Sequence, residues 1–250
     1  MKKIVMIAAL LSPFALHFSP MNAQTVVSDG FDRLEVTYKA ETPERRLMTL
    51  DGITFLLTMP GYTSGGVVGS PALPVRNDVI EIPFCDDIRV TVANAVYDTL
   101  QYIYTLFYPL QSSRSKSDTS SSSKLYYDEE RYSTDAFYGL PVADVEVMGV
   151  ARDRRLAQLT FSPVQVNPVT GQVVVCRSAD VTVEYLGVDV DATLDHYRRY
   201  HTPAFSVGTN LNNLFSSNHA VKQFSNLPIR MVIAVPNALR CRAIEHFADW

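Results

Sequence analysis

Cys241 and His246 come first, because a thiolate beside an imidazole is a nucleophile with its base. Such a dyad needs mutual hydrogen-bond reach and a third group that orients the ring. The two residues stand five apart in a stretch with helical spacing, a poor match for one helix face. The spacing argues against a pair, and no residue is assigned a catalytic role. His196, His201 and His219 lie in polar sequence without zinc spacing or cysteine partners, so they read as solvated side chains. Asp128-Glu129-Glu130 and Asp189-x-Asp191 supply the oxygens calcium takes but not its loop pattern, and read as solvated charge. The expectation is no metal ligand set and no cofactor.

Three cysteines, Cys85, Cys176 and Cys241, are too few for a disulfide-built scaffold, and an odd number cannot all pair internally. Cys176 ends an apolar run and reads as a small buried hydrophobe. A Cys85–Cys176 bridge is chemically open to an exported chain, but the sequence does not establish it.

Export itself is read from the first residues. Lys2 and Lys3 open the chain, Ile4 to Phe18 is an apolar core broken by Pro13, and Ala23 supplies a small residue before Gln24. Residues 1–23 form the expected signal peptide, cut after Ala23. Its apolar run is shorter than the roughly 20 residues of a bilayer span, so no membrane span is expected in the mature chain. The destination is the periplasm, the cell surface or the medium. The formal net charge of −4 becomes more negative once Lys2 and Lys3 are removed. No basic stripe is left to neutralise phosphates, which excludes a nucleic-acid partner.

The elements that would position any site are strands. Leu34, Val36 and Tyr38 alternate with Arg33, Glu35 and Thr37, the pattern of a strand with one wet face. Leu47 to Leu50 and Ile53 to Thr58 flank Asp51-Gly52, a hairpin signal. Further strands are expected at Val79 to Pro83, Ile88 to Tyr97, Val142 to Val150, Leu156 to Phe161 and Val181 to Leu186. The stretch Phe161 to Val175 reads as a hairpin: Pro168 fixes its own φ, and Gly171 can take the positive φ of a tight reversal. About ten short strands with frequent turn signals indicate an antiparallel β-sandwich, jelly-roll-like, over residues 24–187.

Gln111 to Lys124 interrupts this pattern with eight serines and no aliphatic or aromatic residue. It cannot bury enough apolar area to offset the entropy of ordering, and reads as a loop within the β domain. After Gly187, residues 188–228 read as a linker and processing region, with a short helix over Asp189 to Tyr200. Ile229 to Val235 is then an apolar strand, and Ala238 to Trp250 has the spacing of a helix that Asn237 could cap. A strand followed at once by a helix opens an α/β unit, so residues 229–250 are expected to begin a second, truncated domain.

Several of these segments together resemble the N-terminal pro-region of gingipain-type cysteine peptidases, exported bacterial enzymes of caspase-like fold. The matching stretches are Gly69-Ser-Pro-Ala-Leu-Pro-Val75 with Ile80-Glu-Ile-Pro83, Tyr132 to Tyr138 (YSTDAFY), and Phe161-Ser-Pro-Val-Gln-Val-Asn-Pro-Val-Thr-Gly171. Arg230 to Val235 with Glu245 to Trp250 resembles the first strand and helix of the peptidase domain. The resemblance implies a β-sandwich pro-domain that assists folding and keeps the peptidase latent by covering its active-site cleft until proteolysis. Its partner would be a cognate cysteine peptidase domain, in cis or in trans. The family's catalytic His and Cys would fall beyond Trp250, so the chain is not expected to be an enzyme. Several relatives cleave after Arg or Lys, so an inhibitory loop could offer a basic side chain: Arg114, Lys116 and Lys124 are the candidates. Arg198, Arg199 and Lys222 are candidate processing sites. Two other readings share the resemblance: a stand-alone exported interaction or adhesion module, and the front part of an active peptidase.

Overall fold

The computed structural model describes residues 24–49, 51–103, 105–113, 124–202, 211–212 and 214–215. The expected signal peptide with Ala23, the loop residues Arg114 and Lys116, and Lys222, His219, Cys241, His246 and residues 229–250 lie outside the described residues.

The alternating segment is β2 (Arg33–Lys39), and Leu34, Val36 and Tyr38 are its buried face. β1 (Gln24–Asp29) pairs with it along one edge. Along the other runs β11 (Gln172–Leu186), antiparallel from Ser178 to Glu184. β10 (Val164–Asn167) continues the same side of β11, and β7 (Asp87–Gln101) covers its opposite side from end to end. The second sheet has the order β5 (Thr63–Gly65), β6 (Leu73–Ile82), β9 (Arg154–Phe161), β8 (Ala143–Ala151). β3 (Glu44–Met48) and β4 (Thr54–Thr58) form the hairpin that Asp51-Gly52 announced. The architecture is the expected antiparallel sandwich. The expected start of an α/β domain, residues 229–250, lies outside the described residues.

One apolar cluster joins the sheets. Leu34, Val36, Val173, Val175, Val181 and Val183 come from the first, and Ile80, Ile82, Ala157, Leu159 and Phe161 from the second. Tyr38 stacks flat on Phe161 with ring centroids 4.4 Å apart. Its hydroxyl reaches the second sheet and donates to Asp78 Oδ2 at 2.9 Å, where Arg76 Nε also binds Asp78 at 3.1 Å. Burial and the Asp78 carboxylate push the Tyr38 hydroxyl far above the usual tyrosine range, so it stays a donor at any physiological pH. Tyr38→Phe keeps the stack and removes the bond. The expected cost is about 1–2 kcal/mol, read from the urea midpoint, because Asp78 keeps Arg76.

Sequence and structure differ along β11. The alternation breaks between Arg177 and Asp180, which splits the sequence into two expected strands. The backbone runs through as one strand, with register shifts against β7 at Cys176/Ser178 and Ser178/Asp180. The bulge is held by Asp180, whose carboxylate accepts from Thr37 Oγ1 at 2.7 Å and Asn94 Nδ2 at 2.8 Å. Those hydrogen bonds, Asn94 first, hold the carboxyl below its ordinary range. Cys85 and Cys176 are free thiols rather than a bridge, and burial raises the pKa of both. Cys176 is fully buried, as its apolar run suggested.

Candidate functional site: the stem of the serine-rich loop

Both arms of the serine-rich loop are anchored on the Gly69–Val75 stretch. Residues 108–110 form the incoming arm: Leu110 N donates to Ser70 O at 2.7 Å, Gly69 N to Leu110 O at 2.8 Å, and Ala72 N to Tyr108 O at 2.8 Å. Two prolines, Pro71 and Pro109, face each other across this ladder. They lack the N–H that a longer strand pair would need, so the pairing stays short. The outgoing arm returns to the same place, where Asp128 N donates to Gly69 O at 3.0 Å. Gly69 is small because the arm passes over it: an added Cβ would lie 2.6 Å from Tyr126 Cε1 and 3.0 Å from Asp128 N.

Gln111 closes the neck. Its Nε2 donates to Tyr126 O at 3.0 Å and its Oε1 accepts from Tyr126 N at 3.0 Å, the two bonds of a β pair made by one side chain. Beside it, Leu125 N donates to Asp51 Oδ2 at 2.9 Å, which ties the arm to the β3–β4 turn. Gln111→Ala is expected to leave thermal stability within about 1 kcal/mol, since the clamp is largely exposed. It should raise hydrogen exchange at Tyr126 N and leave the core strands unchanged; equal protection at Tyr126 would mean that the clamp does not hold the neck.

The outgoing arm continues as a short helix, α1 (Glu129–Ser133), capped by Asp128 Oδ1 on Arg131 N at 3.3 Å. Asp128 also pairs with Arg131 Nε at 2.9 Å, so this acidic run serves as a helix cap. Tyr132 OH donates to Phe107 O at 2.8 Å, and burial raises its pKa so far that it remains a donor. The arm then crosses the β10–β11 hairpin. Tyr138 and Val166 exchange backbone bonds at 2.8 and 2.9 Å, and Asn167 Nδ2 donates to Asp135 Oδ1 at 2.6 Å. Asn167 Oδ1 meanwhile accepts from Val169 N and Thr170 N within the turn. Three stretches distant in sequence, Gly69–Val75, Tyr132–Tyr138 and Phe161–Gly171, thus meet at the base of one loop.

The model of the Propeptide_C25 family matches residues 26–194. The chain belongs to that family. Over its whole length the chain is 28% identical to Lys-gingipain of Porphyromonas gingivalis, of which it spans 15%. Among solved structures, one concerning the zymogenic latency of gingipain K from P. gingivalis matches 68% of this chain and 96% of its own, with a TM-score of 0.62 and 26% identity. The complex of the pro- and mature domains of RgpB from P. gingivalis aligns over 72% of this chain and 96% of its own, at TM-score 0.58 and 17% identity, a likeness of fold. Three of the stretches that carried the resemblance from sequence, Gly69–Val75, Tyr132–Tyr138 and Phe161–Gly171, build the stem of this propeptide fold.

Of the sequence candidates, Lys124 stands exposed where the outgoing arm begins. Arg198 and Arg199 occupy the last turn of a second helix, α2 (Val190–Tyr200), where a short helix was expected, with Arg198 paired to Asp195 at 2.9 Å. Asp189, weighed as an oxygen ligand, caps α2 by accepting from Ala192 N at 2.8 Å. His201 is not a solvated side chain, because its Nδ1 lies 2.7 Å from the buried Asp153. His196 Nε2 is 2.7 Å from Arg152 O. Among the described residues no group of three His, Cys, Asp or Glu could hold a metal ion, and no helix is long and apolar enough to cross a membrane. The stem contacts of Gln111, Asp51 and Asp135 are not legible in the sequence, since single polar residues in loops carry no periodicity to mark such ties.

Proposed function

We propose that this chain is the pro-domain of a gingipain-type cysteine endopeptidase, acting as intramolecular chaperone and as latency-maintaining inhibitor. It works in cis on its own peptidase domain, or in trans as a separate chain, and contributes no catalytic residue itself. Residues 1–23 direct export, with cleavage at Ala23, to the periplasm, the cell surface or the medium. The observation that carries the reading is the stem: a rigid sandwich holds both arms of a polar, basic loop within one hydrogen-bonded neck. Preorganisation of this kind lowers the entropy lost when a loop enters a cleft, which is how small rigid inhibitors reach high affinity. Arg114, Lys116 or Lys124 offers the cation that an acidic specificity pocket would take. Arg198, Arg199 and Lys222 are the processing candidates that would end latency.

The test is a titration of an active gingipain-type peptidase with the purified chain. Saturable inhibition at one equivalent is expected. A folded chain that leaves the peptidase fully active at large excess would contradict the proposal and favour a stand-alone interaction module.

A further inference from the structure

Away from the loop stem, buried ionisable side chains gather around Glu81 of β6, beside α2 and residues 211–212 and 214–215. Ile80 and Ile82 point into the sandwich, so Glu81 between them points out; it is nonetheless 0% exposed. Asp153 and Arg154, at the turn from β8 into β9, are 2% and 7% exposed. Tyr197 of α2 faces the same cluster, His201 caps the helix, and Asp29 of β1 and Tyr185 of β11 face Glu81 from the first sheet.

The docked segment is bound through this cluster. Glu81 Oε2 accepts from Leu214 N at 2.9 Å and lies 3.4 Å from Arg154. Asn212 Oδ1 accepts from Glu81 N at 2.7 Å, while its Nδ2 donates to Glu81 O at 3.0 Å and Asp29 Oδ1 at 3.1 Å. Asp153 Oδ2 holds His201 at 2.7 Å, with Arg154 Nε 3.9 Å away. Phe215 stacks on Tyr197 at 4.0 Å and meets Phe31 edge-on, which closes the site to water.

The charges do not balance. The buried Glu81 and Asp153 carboxylates, with the half-buried Asp29 carboxylate beside them, face the single guanidinium of Arg154, and Glu81 Oε1 and Asp153 Oδ1 are buried without a hydrogen-bond partner. An excess buried charge is costly, and one proton removes it. We propose that Glu81, Asp153, Arg154 and His201 form a proton-linked latch that holds α2 with residues 211–212 and 214–215 on the sandwich in mild acid and loosens as the pH rises.

The direction follows from linkage. Burial raises the Glu81 carboxyl from 4.5 to about 7, helped by Asp153 and Asp29 and opposed by Arg154 and Leu214 N–H. A group whose pKa is raised on docking stabilises the docked state fully below its free value and loses that stabilisation as the pH rises through the docked one. The window is therefore pH 4.5 to 7. Arg198 and Arg199 lie on the latched helix, so a protease that needs extended chain meets them only after α2 undocks. The latch stands apart from the inhibition reading, because it concerns the connector and not the loop.

Native-state hydrogen exchange of the whole chain, corrected for intrinsic rates, tests it. The opening constant for amides between Thr193 and His201 is expected to rise about 40-fold from pH 5 to pH 7, then only about twofold further by pH 8.5. Amides of Val181 and Val183 in β11 should not follow. Glu81→Gln should flatten the rise. Should that variant not fold, Asp153→Asn removes one of the negative charges beside Glu81 and must reduce the rise several-fold. A flat wild-type profile, or an undiminished rise in either folded variant, overturns the latch.

Discussion

Gly171→Ala is expected to destabilise the chain by roughly 2–4 kcal/mol, a large share of the stability of an ordinary domain. Gly171 closes the β10–β11 hairpin at φ +72, where a side chain adds strain. The conformation is only part of the cost. An added Cβ would fall on the Tyr102 carbonyl oxygen, and Tyr102 N donates to Gly171 O at 2.8 Å, so both groups must move together. Tyr102 in turn donates its hydroxyl to Pro43 O at 3.2 Å, and Arg45 stands 4.7 Å over its ring, so the displacement reaches the β3–β4 hairpin. Gly52→Ala is the control: φ is +92, yet nothing lies within 4 Å of the added carbon, and about 1 kcal/mol is expected. Urea unfolding of both variants checks the pair, with a lower midpoint and an unchanged slope. Equal losses in the two would show that the Tyr102 contact does not matter.

The second large effect concerns inhibition. Among Arg114, Lys116 and Lys124, the side chain that enters the specificity pocket should carry most of the affinity. Its replacement by alanine is expected to weaken inhibition by about 30- to 1000-fold, the usual result of leaving a buried partner charge unpaired. The other two should change it by less than about threefold, as exposed charges do. Exchanging Lys for Arg at the same position should shift potency between peptidases of different basic preference, because the two cations fill a pocket differently. Inhibition constants for the three single variants and the triple variant decide it. Four wild-type values would place the blocking segment elsewhere and leave the basic residues as solvating charge.

Much of the sandwich was legible because its strands have one wet face. β2 shows it: the Leu34, Val36, Tyr38 alternation is the burial pattern found. The turns at Asp51-Gly52 and Asn167 to Gly171 were legible through residues with special backbone freedom. β11 was not legible as one strand, because Asp180 sits in a bulge and mimics a break. Glu81 shows a different limit. Its alternation with Ile80 and Ile82 places it opposite their inward side, but a sequence pattern does not say that α2 and residues 211–212 and 214–215 later cover it. The same covering turns His201 from an apparent surface residue into the partner of Asp153. The stem was half legible: its three anchoring stretches carried the resemblance, whereas the Gln111 clamp and the Asp51 tie are single contacts across long sequence separations.

The most direct test asks whether the chain covers an active site. The catalytic cysteine of a gingipain-type peptidase is alkylated with iodoacetamide, with and without the purified chain, and the rate is followed by mass spectrometry. The pro-domain reading predicts that alkylation slows in proportion to added chain and stops falling at one equivalent, with protection lost on loosening the loop neck by Gln111→Ala together with Gly69→Ala. An alkylation rate unchanged by a folded, bound chain would mean that the sandwich attaches without covering the cleft, and the central claim would be wrong.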